Sequence, residues 1–312
     1  MVVSAVAAGW RTETGRRPTN EDAVLVERLP DGRELIAVAD GMGGHQAGAV
    51  ASQLALRSMR ESLVDGGTLR EAFMKANETV HGAARRNPEW EGMGTTLVAL
   101  LRSGAHYELA NVGDSRVYRM TPSRVQQVTV DHTFVAEALA EGSMTAEEAR
   151  RSRWRNALTR AVGMDPEIDV DVFGPFDATE AHVVMLCSDG CHGSVSDEFL
   201  ATCLGEGGDP QEMASRLTDE AFRNGSTDNI SVAVVRFSAR GSRVAATSPP
   251  AAAPARRAAA PARGGGRRQP FILLAPARPP SRAARLRRLG RVALLIGLVL
   301  AAVVILLSTG LV

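Results

Sequence analysis

The chain has 312 residues, 45% of them hydrophobic and 23% charged, enough for one or two domains with a real core and unlike an unfolded chain. Aromatic residues make up only 4%, and the three cysteines form no C-x-x-C pair, which argues against stacking platforms for single-stranded nucleic acid, a disulfide framework or a zinc ribbon and fits a reducing compartment. The near-neutral total charge of +1 hides a split: residues 239–291 hold 13 Arg and no acid, leaving residues 1–238 with 23 basic and 35 acidic side chains, a net of −12, so this part is a poor nucleic-acid binder and a fit host for cations.

The opening MVVSAVAAGW is apolar but short, and Arg11 and Glu13 follow it closely, so no secretory leader is expected. Short Val-, Ala- and Leu-rich runs closed by turn residues predict strands over 4–12, 23–28, 34–39, 95–101, 106–110, 116–120, 182–187 and 230–237. Helices are predicted over 46–63, 69–86, 197–204 and 210–223; in the first, Val50, Leu54, Met59 and Leu63 can share a face. Strands bunch together with helix pairs inserted between them, which predicts an α+β layered fold of antiparallel sheets flanked by helices rather than a doubly wound sheet. Residues 1–238 form the expected globular domain. Residues 239–291, rich in Ala, Pro, Arg and Gly, read as a disordered linker. Residues 292–312 carry no charge; as a helix they extend about 31 Å against a hydrocarbon core of about 30 Å, so a single transmembrane helix is expected. Arg282, Arg285, Arg287, Arg288 and Arg291 precede it, which by the positive-inside bias predicts a cytoplasmic-membrane protein with its globular domain in the cytosol.

Four acidic clusters sit at strand ends. Residues 36–39 run into Asp40-Gly41, residues 183–187 into Ser188-Asp189-Gly190, Asn20-Glu21-Asp22 precedes a strand, and so does Asp228-Asn229. One Asp-Gly is an ordinary turn. Four such clusters in one acidic domain point instead to carboxylates gathered around divalent cations, with glycines that let a backbone carbonyl serve as a ligand. Hard oxygen ligands without His or Cys favour Mg²⁺ or Mn²⁺ over Zn²⁺. The glycine run 41–48 fits neither a P-loop nor a dinucleotide fingerprint, and no G-x-S-x-G elbow occurs. Cys187 and Cys191 lack a nearby downstream Arg to cradle phosphate, and Cys187 reads as a core strand residue.

The ordered segments RPTNEDA (17–23), VADGMGGHQAG (38–48), GMGTTL (92–97), ANVGDSRVY (110–118), VDHT (130–133), NALTRAVG (156–163), LCSDG (186–190) and STDNISV (226–232) together resemble the metal-dependent serine/threonine protein phosphatases of the type-2C (PPM) family, bacterial branch. The resemblance covers about residues 4–238. It implies a four-layer α-β-β-α sandwich and hydrolysis of phosphoserine and phosphothreonine in proteins by a hydroxide bridging two Mn²⁺ or Mg²⁺ ions, with a third, weaker ion in bacterial members. It implies that Asp40 bridges the metals, that the Gly41 carbonyl, Asp189 and Asp228 bind one of them, and that Glu21 serves the other. Asp114 corresponds to the acid beside the third ion, Arg17 to the arginine that grips substrate phosphate, Asp22 to a supporting acid, and Asn229 to a residue that orders the loop. Animal members carry a His just after the Asp-Gly; here that position is Met42, which leaves the general acid open.

The resemblance also implies phosphorylated protein substrates, an opposing bacterial Ser/Thr kinase and a monomeric catalytic domain, with no nucleic-acid partner. The segment FVAEALAEGSMTAEEARRSRWR between Thr133 and Asn156 corresponds to the flap beside the active site, with Gly142 and two short helical stretches; it reads as a gate for peptides or as a solvated excursion. Beside the active enzyme stand a catalytically silent or single-partner regulatory module of the same fold and a small-ester hydrolase with a deep pocket.

Overall fold

Short apolar runs build the sheets: residues 34–39, 97–102 and 182–187 are buried without a break. The computed structural model describes residues 6–43, 46–121 and 124–239. In chain order these form β1 (Val6–Glu13), β2 (Asp22–Arg28), β3 (Glu34–Met42), α1 (Ala47–Val64), α2 (Leu69–Arg86), a single 3₁₀ turn at Pro88–Trp90, β4 (Gly94–Thr95), β5 (Leu97–Ser103), β6 (His106–Val112), β7 (Arg116–Thr121) and β8 (Arg124–Gln127). Then follow α3 (Phe134–Ala140), α4 (Ala146–Arg151), β9 (Asp171–Asp177), β10 (His182–Cys187), α5 (Asp189–His192), α6 (Asp197–Gly205), α7 (Pro210–Arg223) and β11 (Ile230–Phe237). One sheet has the order β1-β11-β10-β7-β8 and the other β2-β3-β5-β6-β9, with β4 paired to the end of β3. Every pairing is antiparallel.

The two faces of the first sheet separate cleanly. Val184 and Leu186 of β10 and Ala233, Val235 and Phe237 of β11 join the core shared with the second sheet. Val183, Met185, Cys187, Ile230, Val232 and Val234, one step out of phase, join a second core with Leu200, Leu204, Met213 and Leu217 of α6 and α7. The second sheet is covered by α1, which lies on β2 and β3 and packs against α2. The layers are therefore helix, sheet, sheet, helix, as expected. Local signals agree with the tertiary arrangement: a Thr68–Glu71 capping box starts α2, and Asp209 with Pro210 at the first helical position starts α7.

Helix α2, helix α7 and strands β10 and β11 coincide with their predicted bounds. Three strands and a short helix were not predicted. Strand β9 contains Gly174-Pro175, joined by a cis peptide, and a proline counts against a strand unless it lies at an edge, which is where β9 lies. Strand β8 is a polar four-residue edge strand, and β4 has two residues. The single turn of α5 begins at Asp189 itself. The predicted linker and transmembrane helix lie outside the described residues, apart from Ala239. Among the described residues no helix is long and apolar enough to cross a membrane.

At the ends of β3 and β5 a charged pair replaces apolar packing. Arg102 and Glu34 face each other across the two strands, their side chains 3% and 11% exposed and 2.8 Å apart. Glu34 also takes a hydrogen bond from Arg28, and Arg102 donates to the Gly104 carbonyl at 2.7 Å. Removing one partner of a buried pair strands the other charge, at about 3–5 kcal/mol. Glu34→Ala is accordingly expected to lower the melting temperature by roughly 6–15 °C in a domain of this size. Thermal unfolding by circular dichroism checks this, and a shift of under about 2 °C would show that the pair contributes little.

Candidate metal centre

The sheet registers carry the acids to one place. Asp22 opens β2 and Asp40 nears the end of β3, and the two are register partners. Strands β10 and β11 run antiparallel, so the end of β10, where Asp189 follows, lies beside the start of β11, where Asp228 precedes. Asp114 sits in the turn between β6 and β7. Glu21, Asp40, Asp114, Asp189 and Asp228 line one open basin of about 480 Å³ together with Arg17, the Gly41 backbone and Asn229. Its acids come from both sheets, so the basin exists only when the sandwich is assembled.

Backbone contacts fix its floor. The Asn229 side chain accepts from the Glu21 N–H at 2.8 Å and donates to the Thr14 and Thr19 carbonyls at 2.8 and 2.9 Å, which ties the 14–21 loop to the start of β11. Ser52 of α1 donates to the Glu21 carbonyl at 2.6 Å. Thr95 and Thr96 clamp Asp40: the Thr95 hydroxyl donates to its carbonyl at 2.9 Å, and its N–H donates to the Thr96 hydroxyl at 3.0 Å. Gly190 is required by close approach, since a Cβ there would stand 1.9 Å from the Asn229 carbonyl oxygen. At Gly41 a Cβ would stand 2.1 Å from the Gly48 carbonyl oxygen.

The electrostatics are those of crowded anions. Burial, followed by the charges of Asp22, Asp189, Asp114 and Asp228, holds the Asp40 carboxyl well above the ordinary range. Burial raises Asp22 to about 7 against the pull of hydrogen bonds from Ser231 and Ser188. Burial and the Asp189 charge push Asp114 to about 7 as well. Asp189 is raised by burial and by Asp228, with a hydrogen bond to Asp40 working against them. Two buried carboxylate oxygens, Asp22 Oδ1 and Asp189 Oδ1, have no hydrogen-bond partner, a costly state for an anion. Among the described residues no three acidic, histidine or cysteine side chains are drawn tightly enough to cage an ion; the acids ring the basin instead. The donor set nevertheless fits hard divalent cations: it consists of carboxylates and a backbone carbonyl, and it includes an unsatisfied buried oxygen on Asp189.

The nine residues singled out from the sequence fall into three placements. Glu21, Asp40, Gly41, Asp114, Asp189, Asp228 and Asn229 line the basin. Arg17 stands at its rim, half exposed, with Nη2 2.5 Å from Asp228 Oδ2. Asp22 is not part of the lining; it is buried, and its Oδ2 accepts from the Ser188 hydroxyl at 2.8 Å. Ser188 in turn accepts from the Ser231 N–H at 3.0 Å. Sequence reasoning missed this serine pair. It also missed Thr95 and Thr96, although both lie within a quoted segment, because hydroxyls that support a carboxylate carry no spacing of their own. Two histidines hold the Asp114 turn. His132 Nδ1 accepts from the Gly113 N–H at 3.0 Å, and His192 Nε2, on a ring held neutral by burial, donates to the Asp114 carbonyl at 3.0 Å. Met42 lines the basin, and no histidine does so among the described residues.

The chain matches the protein phosphatase 2C family over residues 14–221. It is 35% identical over 240 residues to the serine/threonine phosphatase Stp of Listeria welshimeri, covering 73% of this chain and 94% of that protein. It is 38% identical over 225 residues to the serine/threonine protein phosphatase PstP of Mycobacterium tuberculosis, covering 70% of this chain and 42% of that one. The crystal structure of the PstP catalytic domain in complex with two manganese ions superposes with a TM-score of 0.64 at 35% identity, covering 75% of this chain and 98% of that one. A basin of carboxylates built between two sheets, in a chain that matches the family over residues 14–221 and spans nearly the whole Listeria relative, makes this chain a member of the protein phosphatase 2C family.

Proposed function

We propose that the chain hydrolyses phosphoserine and phosphothreonine in proteins and opposes a bacterial Ser/Thr kinase. The observation that carries this reading is the convergence of five carboxylates from both sheets on one basin with an arginine at its rim. Asp40, the Gly41 carbonyl, Asp189, Asp228 and Glu21 would hold two Mn²⁺ or Mg²⁺ ions, and Asp114 a third. When bound, such ions supply Lewis-acid charge that acidifies water and offsets the charge of phosphoryl oxygens. The manganese-bound PstP relative supports this choice of ion.

The chain's own residues supply position and charge. Arg17 has one donor engaged by Asp228, and its planar fork suits the phosphoryl group of a substrate entering the basin. Asn229 and Ser52 hold the Glu21 backbone in place, and Thr95 and Thr96 hold Asp40. Asp22 and Ser188 brace the junction of the two sheets from behind. The departing serine or threonine oxygen needs a proton. Met42 stands in the wall, and water entering the open basin is the proposed source.

The domain plan proposed from the sequence completes the reading: a catalytic domain over 1–238, a linker over 239–291 and a membrane helix over 292–312, with the catalytic domain on the cytosolic side. A flexible coil of the linker's length reaches roughly 40 Å, which would confine the enzyme near membrane-bound kinases and their targets.

Asp40→Asn and Asp189→Asn are each expected to keep under about a tenth of the wild-type kcat with Mn²⁺ on a phosphothreonine peptide, a barrier increase of at least about 1.4 kcal/mol. Their far-UV circular dichroism is expected to stay unchanged. A variant with near-normal kcat would contradict the assignment of the basin.

The tail is tested by fractionation of cells expressing the full chain. The protein is expected with the membranes, and a chain ending at residue 238 in the soluble fraction. Full-length protein in the soluble fraction, or a catalytic domain cut by protease added outside intact spheroplasts, would contradict the topology.

A further inference from the structure

The flap concentrates exposed apolar side chains. Nine large hydrophobic residues are exposed among the described residues, and three of them, Phe134, Leu139 and Trp154, lie in the flap. The flap is nonetheless an ordered element. Its stem is closed by an antiparallel bridge between Thr133 and Leu158, by the Phe134 N–H donating to the Ala157 carbonyl at 2.9 Å, and by the Thr159 N–H donating to the His132 carbonyl at 2.9 Å. Beyond α4 the chain folds into tight turns, with the Arg155 N–H donating to the Ser152 carbonyl and the Ala157 N–H to the Trp154 carbonyl. Trp154, 52% exposed on this turn, leaves apolar surface open to a partner.

Charge says what that is. The acids of the flap, Glu137, Glu141, Glu147 and Glu148, precede its arginines, Arg150, Arg151, Arg153 and Arg155. Glu147 pairs with both Arg150 and Arg151, at 2.7 and 2.6 Å. Arg153 instead lies over the Trp154 ring, 4.9 Å from its centre, and Arg155 directly precedes Asn156, which lines the carboxylate basin. Arg153, Trp154 and Arg155 thus lead in sequence to the wall of the basin, within residues 1–238, whose net charge is −12 with these arginines included. An anionic peptide is repelled by most of this surface and attracted at this strip. Arg and Trp are also the side chains that most often anchor protein contacts.

We propose that Arg153, Trp154 and Arg155 form a docking strip that selects phosphoprotein segments carrying a second anionic side chain, acidic or phosphorylated, next to an apolar one. The proposal rests on the phosphatase reading above and names its substrate class. Arg155 adjoins Asn156 of the basin wall and Arg153 lies two residues before Arg155, so the anionic side chain is expected close in sequence to the phosphorylated one, two or three residues away, about 7–10 Å along an extended peptide. The guanidinium groups take the anion and the indole face takes the apolar neighbour.

The test compares kcat/KM, with Mn²⁺, on a phosphothreonine peptide with neutral polar flanks and one with Glu and Leu two and three residues from the phosphorylated position, with an acidic peptide lacking the Leu and a Lys-flanked peptide as controls. The wild-type enzyme is expected to prefer the acidic peptide by about fivefold to tenfold at low salt, mostly through KM, as two exposed ion pairs allow. The preference is expected to shrink with added salt. The double variant Arg153→Ala with Arg155→Ala is expected to lose it, and Arg153→Glu with Arg155→Glu to reverse it toward a Lys-flanked peptide. Trp154→Ala is expected to cancel the contribution of Leu. If wild type hydrolyses both peptides with equal kcat/KM, the strip is overturned and the phosphatase reading stands. If it hydrolyses neither, both are overturned. Strip-dependent sedimentation with phosphatidylserine vesicles, or strip-dependent dimerisation, with no peptide preference, assigns the surface to lipid or to a second copy and overturns the proposal.

Discussion

Mutual repulsion among buried carboxylates is the constraint around which this molecule is organised. Asp22, Asp40, Asp114 and Asp189 all have their carboxyl groups pushed up from the ordinary range, in each case by burial first, with neighbouring carboxylates, Asp228 among them, adding to it. Such a cluster is unfavourable as a piece of folding. It persists because the surrounding sandwich determines the position of each acid independently of the others. Register pairing places Asp22 and Asp40, the start of α5 places Asp189, and Asn229 locks the turn around Asp228 to the 14–21 loop. The site is a local conflict held in place by the agreement of everything around it.

The conflict has a direction that function can use. Carboxylates that cannot all be charged together bind divalent cations in place of protons. The same crowding explains why Arg17 lies against Asp228. In the proposed reaction that arginine stands at the rim, where a phosphoryl group arrives with a charge the acids alone would repel. The flap then adds a second positive feature beside the mouth, so that an anionic substrate meets arginine before it meets the carboxylates. Attraction at the rim and repulsion at the floor are compatible only with ions between them, which ties substrate binding and metal binding to one arrangement.

Much of this was legible in the sequence, for physical reasons. Acids following apolar runs marked strand ends, and antiparallel pairing of those strands brought the marked ends together, so Asp40, Asp189 and Asp228 could be singled out before any fold was known. The layered architecture followed from strands bunched together with helix pairs inserted between them. Strand β9 was hidden because Gly174-Pro175 reads as a break, whereas an edge strand tolerates it. The supporting hydroxyls of Ser188, Ser231, Thr95 and Thr96 were hidden because their role depends on register across different strands. The burial of Asp22 behind the basin was hidden for the same reason: adjacent acids in sequence, Glu21 and Asp22, point to opposite sides once β2 begins, one into the basin and one toward Ser188.

The most direct measurement is the melting temperature of chelator-treated protein, with and without excess Mn²⁺, between about pH 5.5 and about pH 7.5. The carboxyl groups of Asp22, Asp40, Asp114 and Asp189 bind protons more tightly in the folded than in the unfolded chain. Their contribution to stability is therefore complete below the unfolded value of 3.8 and is lost as the pH rises through the folded values, about 7 for Asp22 and Asp114. The metal-free protein is expected to melt at progressively lower temperature across this window, and Mn²⁺ is expected to raise the melting temperature by several degrees at about pH 7.5 and by much less at about pH 5.5. A melting temperature indifferent to Mn²⁺ at about pH 7.5, or a metal effect that grows toward acid pH, would contradict the account.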